Sequence, residues 1–216
     1  MVDRAVCMPF AKLQVLRRGH RRRKDDDGPW QTVASIREDV ADGASFIVRA
    51  LDSSSVDRRW SKAELALDPA GPWWSKTRDD YLELDEASQD WVLERIEGTA
   101  DRAAAALQDR AEQRDWCWLW SQPSFGSPGK LRPTITRPDL VAGLDWKRCE
   151  VIDLKTTGRE ELRSAASVSL KKSFASWAAA LRQLRFDPES SLVLIVSTEH
   201  DRWSWIDAPL PDHDSE

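Results

Sequence analysis

The chain has 216 residues, 41 % of them hydrophobic and 32 % charged, which fits a soluble protein of one sizeable domain or one domain with an extension. No apolar run approaches the roughly 20 residues of a membrane-spanning helix, and no hydrophobic leader of the secretory kind opens the chain, so a membrane or exported class is not expected. The formal net charge of −5 counts mildly against extensive nucleic-acid contact but leaves a local one open, because charge distribution outweighs the sum.

The first thirty residues read as irregular. Arg17 to Lys24 form a basic run, met at once by Asp25-Asp26-Asp27. Adjacent blocks of opposite charge rarely pack into a core, so a solvated arm is expected, with a phosphate-contacting arm as the alternative. Residues 31–50 suit a helix with Val33, Ile36 and Val40 on one side, broken at Ser53-Ser54-Ser55. Pro69, Gly71 and Pro72 mark a connecting segment. Asp85 is an N-cap for a long helix reaching about Gln113, its apolar stripe carried by Trp91, Val92, Ile96, Ala100, Ala103, Ala104 and Leu107.

Strand patterns follow. Trp116 to Trp120 reads as one strand, and residues 122–129 as a turn. Thr134-Ile135-Thr136 and Leu140-Val141-Ala142 flank Pro138-Asp139 in a second strand. Glu150 to Lys155 is a third, close enough to the second for an antiparallel hairpin. Residues 169–185 suit a helix with Phe174, Trp177, Ala178, Leu181 and Leu184 inward. Leu192 to Val196 is apolar throughout, as expected of a strand covered on both faces. The tail at 209–216 is polar and expected to fray. The twelve tryptophans are expected to fill the core; Trp116, Trp118 and Trp120, like Trp203 and Trp205, alternate as residues on one face of a strand do. Cys7, Cys117 and Cys149 form no CxxC pair, which argues against a zinc ribbon or an iron–sulfur cluster and makes a reducing cytoplasm the expected compartment.

The stretch that carries chemistry runs from Arg137-Pro138-Asp139 to Asp153-Leu154-Lys155. Two carboxylates and an ammonium at strand ends suit divalent-metal phosphodiester hydrolysis. Asp139 and Asp153, with the Leu154 carbonyl, would hold Mg²⁺ or Mn²⁺ through oxygen. Asp153 and Lys155 leave the same face of a strand, so the ammonium can orient the attacking water and offset phosphate charge.

The element order and these motifs resemble the core of the PD-(D/E)XK nuclease superfamily, over about residues 80–200. Asp153-Leu154-Lys155-Thr156-Thr157 is similar to its RecB-like and RecE-like exonuclease branch, and YLELDEASQDWVLERIEGTADRAAAAL resembles the helix before the core of RecE-like proteins. The resemblance implies an α/β fold: a mixed four-stranded sheet flanked by helices at 81–208, with a helical or irregular extension at 1–80. It implies a Mg²⁺-dependent, exonuclease-like deoxyribonuclease with Asp139, Asp153 and Lys155 catalytic, and a metal held by Asp139, Asp153, Leu154 and an acid from the preceding helix. Glu94, Glu97 and Glu112 are the candidates for that acid, Glu97 preferred. Arg137, Thr156, Lys171 and Lys172 would meet DNA. The glutamine usual after the lysine has no match at 173–177, and Gln183 lies two turns further on. The alternative is a weakly active or inactive nuclease fold serving as a DNA-binding or protein-interaction subunit of a phage or defence assembly, with residues 1–80 meeting a protein partner.

Overall fold

The computed structural model describes residues 6–7, 14–15, 36–52, 78–121, 125–126, 135–159 and 169–208. The basic run at 17–24, the acidic triplet after it, the break at 53–55 and the tail at 209–216 lie outside the described residues. Among the described residues the longer helices are α1 (Ile36–Asp52), α2 (Glu86–Arg114) and α3 (Ser169–Gln183), with short helical stretches at 6–7 and 78–82. The strands are β1 (Gln14–Val15), β2 (Trp118–Ser121), β3 (Phe125–Gly126), β4 (Ile135–Thr136), β5 (Leu140–Gly143), β6 (Arg148–Thr157), β7 (Asp187–Ser197) and β8 (Trp203–Ala208).

The main sheet runs β1-β2-β5-β6-β7-β8. Only the β6–β7 pair is parallel, so the sheet is mixed. The expectation of four strands is therefore corrected: five strands of four residues or more make this sheet, and the two-residue β1 extends its edge. The strand left out of the count is β8, whose alternating Trp203 and Trp205 pair with Val196 and Leu194 of β7. A second correction falls on the segment around Pro138. The run from Thr134 to Ala142 is not one strand: β4 pairs with β3 in a separate two-stranded sheet, and β5 starts only at Leu140. Proline cannot donate to a ladder, so a break at Pro138 is the physically reasonable outcome.

Burial follows the period of two across the sheet. Leu119, Leu140, Ala142, Ile152, Leu154, Leu192, Leu194 and Val196 pack on one face with α1 and α2. Trp118, Val141, Cys149, Val151, Val193 and Ile195 pack on the other with Phe174, Trp177 and Leu181 of α3. The run Leu192–Val196 is thus covered on both sides, as its composition predicts. Trp116 departs from its alternating neighbours: it precedes β2 and joins the α2 face, whereas Trp118 joins the α3 face. Gly143 pairs with Trp118, and a side chain there would overlap the Trp118 indole. The absent Cβ lets that ring lie across β5, where its Nε1 donates to the Asp145 carbonyl at 2.7 Å.

Helix α2 starts as the sequence predicts, with the Asp85 carboxylate accepting the Ser88 N–H at 2.8 Å. It ends at Asp115, whose left-handed backbone (φ 56°) lets its N–H reach the Ala111 carbonyl. Ala103 to Leu107 are buried in unbroken succession, because α2 packs against α1 as well as against the sheet. Small side chains on α2 allow both neighbours to approach closely. Among the described residues, no helix is long and apolar enough to cross a membrane.

Candidate functional site

Two aspartates are neighbours where β5 begins beside β6. Leu140 pairs with Ile152, so Asp139, just ahead of Leu140, stands beside Asp153. Asp139 Oδ2 accepts the Leu154 N–H at 2.8 Å, tying the residue before β5 to the backbone of β6. Cys7 Sγ donates to the Asp139 carbonyl at 3.6 Å, which steadies the same residue from the N-terminal side.

Asp153 is 4 % exposed. Its Oδ2 lies 2.8 Å from Lys155 Nζ, close enough for an ion pair, yet this buried oxygen makes no hydrogen bond. Both side chains leave the α3 face of β6, as spacing by two requires. The Lys155 side chain keeps 42 % of its surface exposed, so the ion pair borders solvent near the end of β6, a strand inside the sheet. Asp139, Asp153, Leu154 and Lys155 are therefore brought together.

The other sequence-predicted residues sit elsewhere or at the margin. Glu97 is exposed on α2, with Glu94 and Glu112 exposed on the same helix. That helix covers the sheet face of Ile152 and Leu154, opposite the face of Asp153. Glu112 accepts a hydrogen bond from Gln108 at 2.7 Å. Arg137 and Thr156 are exposed, and Thr156, one residue past Lys155, leaves the other face of β6 from Asp153. Lys171 and Lys172 lie in the first turn of α3, and their side chains fall outside the described residues. Gln183 is exposed at the last position of α3. Among the described residues, no three His, Cys, Asp or Glu side chains converge as a metal cluster would.

Sequence reasoning missed Glu150, a fully buried carboxylate on the α2 face of β6. Arg110 Nη2 lies 2.9 Å and Arg114 Nε 3.1 Å from Oε1, Ser190 Oγ donates to Oε1 at 3.1 Å, and Trp116 Nε1 donates to Oε2 at 2.7 Å. Burial alone would raise the Glu150 pKa, but the hydrogen bonds from Arg110 and Trp116 and the two guanidinium charges outweigh it and hold the carboxyl below its usual range. Arg110 also lies over the Trp205 ring, 5.6 Å from its centroid. A lone glutamate in an apolar run was the only local signal.

The opposite end of the hairpin is tied by charge as well. Asp145 Oδ1 accepts the Lys147 and Arg148 N–H groups, each at 2.7 Å, and Oδ2 pairs with Arg148 Nε at 2.6 Å. The Arg148 side chain and these two amides pull the Asp145 carboxyl down to about 2. Cys149 is an inert packing residue: burial, then the charges of Asp187, Glu189, Glu150 and Asp145, push its thiol up to about 12.

No protein-family model matches the chain, and no curated protein does. Among solved structures it is similar to one described as "Crystal structure of SSO0001", at 12 % identity and a TM-score of 0.33, over 61 % of this chain and 63 % of that one. The chain thus spans less than two thirds of that structure's length, and the likeness is too slight to bear on fold family or chemistry.

Proposed function

We propose that the protein is a metal-dependent deoxyribonuclease that hydrolyses phosphodiester bonds at the Asp139–Asp153–Lys155 site. The observation that carries this reading is the buried Asp153 Oδ2, beside an ammonium at 2.8 Å, without a hydrogen bond, and next to a second strand-end carboxylate. A buried carboxylate oxygen whose close partner is a single, partly exposed ammonium keeps room for a further charge, and a hard cation would supply it. The donor set fits Mg²⁺ or Mn²⁺: Asp139, Asp153 and the Leu154 carbonyl supply oxygen, and Mg²⁺ keeps several waters of its own. When bound, such a cation activates water and stabilises a leaving oxygen.

The chain's own residues do the rest. Asp139 holds the β6 backbone through the Leu154 N–H, which fixes the peptide unit between Asp153 and Leu154. Lys155 places its ammonium at the solvent edge of the pair, where it would orient water and offset phosphate charge. Arg137, exposed two residues before Asp139, and Thr156, exposed one residue past Lys155, would contact the DNA backbone.

Digestion of linear, nicked and circular DNA with Mg²⁺ or Mn²⁺ tests the proposal. Cleavage that Asp139→Asn and Asp153→Asn abolish supports it, and cleavage of linear ends alone identifies an exonuclease. A nuclease-like protein that binds DNA or a partner without cutting is the second reading, favoured by the placement of Glu94, Glu97 and Glu112 over the other sheet face. It gains if neither metal gives cleavage while DNA is bound.

A further inference from the structure

The start of α2 carries an open apolar groove, bordering the core at Val92 and remote from the acid pair in sequence. Leu82 is 47 %, Leu84 39 % and Trp91 55 % exposed; among the described residues the other exposed large apolar side chains, Trp146 and Leu184, stand singly elsewhere in the chain. Leu84, Ala87, Ser88, Trp91 and Val92 line an open groove of 440 Å³, their positions recurring at helical spacing. The walls are fixed. The Asp85 cap sets the entry angle of the chain, and Arg95 lies over the Trp91 ring, 4.8 Å from its centroid. Arg95 in turn donates to the Thr198 carbonyl, so the cation behind Trp91 is anchored to the β7–β8 connection.

Charge selects the occupant. Residues 78–95 hold seven carboxylates, among them Glu83, Asp90 and Glu94, against the two guanidiniums of Arg78 and Arg95. Their balance equals the whole chain's net charge of −5, and all seven carboxylates are exposed. Nucleic acid would meet like charge there. A second copy docked about a two-fold axis would set the same acidic rim against itself.

We propose that this groove docks a basic, apolar-anchored helical segment of a protein partner, with Trp91 as the central contact and the carboxylates as the rim. The arrangement is that of helix-in-groove recognition, in which apolar anchors give affinity and rim charges give steering. The site is independent of the nuclease reading.

The test uses the full chain and a fluorescein-labelled Leu/Lys amphipathic helical peptide, with a Leu/Glu peptide of equal length as control, read by anisotropy. The Leu/Lys peptide should bind and the Leu/Glu peptide should not. Trp91→Ser should weaken binding at least about tenfold. The triple variant Glu83→Gln/Asp90→Asn/Glu94→Gln should weaken it and flatten its salt dependence. Asp101→Asn/Asp109→Asn, the same kind of neutralisation further along α2, should leave affinity unchanged, and circular dichroism should show every variant folded. Equal weakening by the Asp101/Asp109 variant would overturn the proposal in favour of diffuse charge. So would a dimer that Trp91→Ser dissociates, which identifies a second copy. Tighter peptide binding after neutralising Arg21, Arg22 and Arg23 would assign the groove to this chain's own basic run instead.

Discussion

Glu150 and Asp153 are both buried carboxylates of β6, yet they face opposite sides of the sheet and meet opposite surroundings. Glu150 receives two guanidiniums, an indole N–H and a hydroxyl, so its oxygens are satisfied by the protein alone. Asp153 has one ammonium in range and a buried oxygen without a hydrogen bond, with Asp139 at its side. The same residue chemistry on one strand is thus closed on one face and open on the other. The closed carboxylate locks α2 and β7 onto β6; Asp153, paired with Lys155 alone, is the one to which the proposed reading assigns a cation.

Substitutions should pull the two apart. Asp139→Asn and Asp153→Asn should each reduce Mg²⁺-dependent DNA cleavage by about 10³-fold, the loss of roughly 4 kcal/mol of transition-state stabilisation, with circular dichroism and melting little changed. Unaltered cleavage in either variant would falsify the metal-site assignment. Glu150→Gln should show the reverse pattern. It removes the counter-charge of Arg110 and leaves Arg114 with Glu189 alone at 3.9 Å, but their side chains are 20 % and 41 % exposed, so solvent screens the loss. A destabilisation of about 2–3 kcal/mol in urea melts is expected, below the roughly 3–5 of a fully buried broken pair, with cleavage per folded molecule preserved.

Acid sharpens the contrast. The Glu150 pKa is lowered in the folded state, so its stabilisation is complete above the unfolded value of about 4.3 and is lost as pH falls through the folded one. The midpoint of urea unfolding should therefore drop with acidification below about pH 4 in the parent and respond less in Glu150→Gln. If the two pH profiles coincide, Glu150 is not the group that titrates.

The smallest effect belongs to a third carboxylate. Asp39 on α1 also has a buried oxygen without a hydrogen bond, and burial, with Asp42 and Glu38, raises its pKa to about 6. A raised carboxyl favours the folded state at low pH and opposes it once pH passes through about 6. Asp39→Asn should stabilise the protein by about 1 kcal/mol at pH 7–8 after allowance for its partial exposure, and by nothing near pH 4. Cleavage should not change, because an orphaned oxygen beside like charges lacks the strand-end acid and lysine that Asp153 has.

What the sequence disclosed follows from the range of each interaction. The start of α2 was legible because a cap and an apolar stripe are local, and the β5–β6 hairpin because its strands are neighbours in the chain. The candidate site shared that advantage: Asp139, Asp153 and Lys155 all belong to this hairpin or its immediate edge. The role of Glu150 was hidden because Arg110 and Arg114 lie 40 and 36 residues away, and no local pattern records such a pairing. The packing of α1 against α2 left no trace for the same reason. The second strand was read too long because β-formers on both sides of Pro138 mask the change of sheet.

The turn at Leu144–Lys147 bears on the order of folding. The two acids are joined through one short connection, closed by Asp145 on two amides and by Leu144 N–H on the Arg148 carbonyl at 2.9 Å. The parallel β6–β7 pair, by contrast, must wait for the whole α3 crossover, and loop-closure entropy makes such non-local pairing late. The expected signature is φ-values higher at Val141 and Val151 than at Val193 and Ile195. The hairpin that carries the acid pair is then an early piece of the molecule, around which the rest of the sheet condenses.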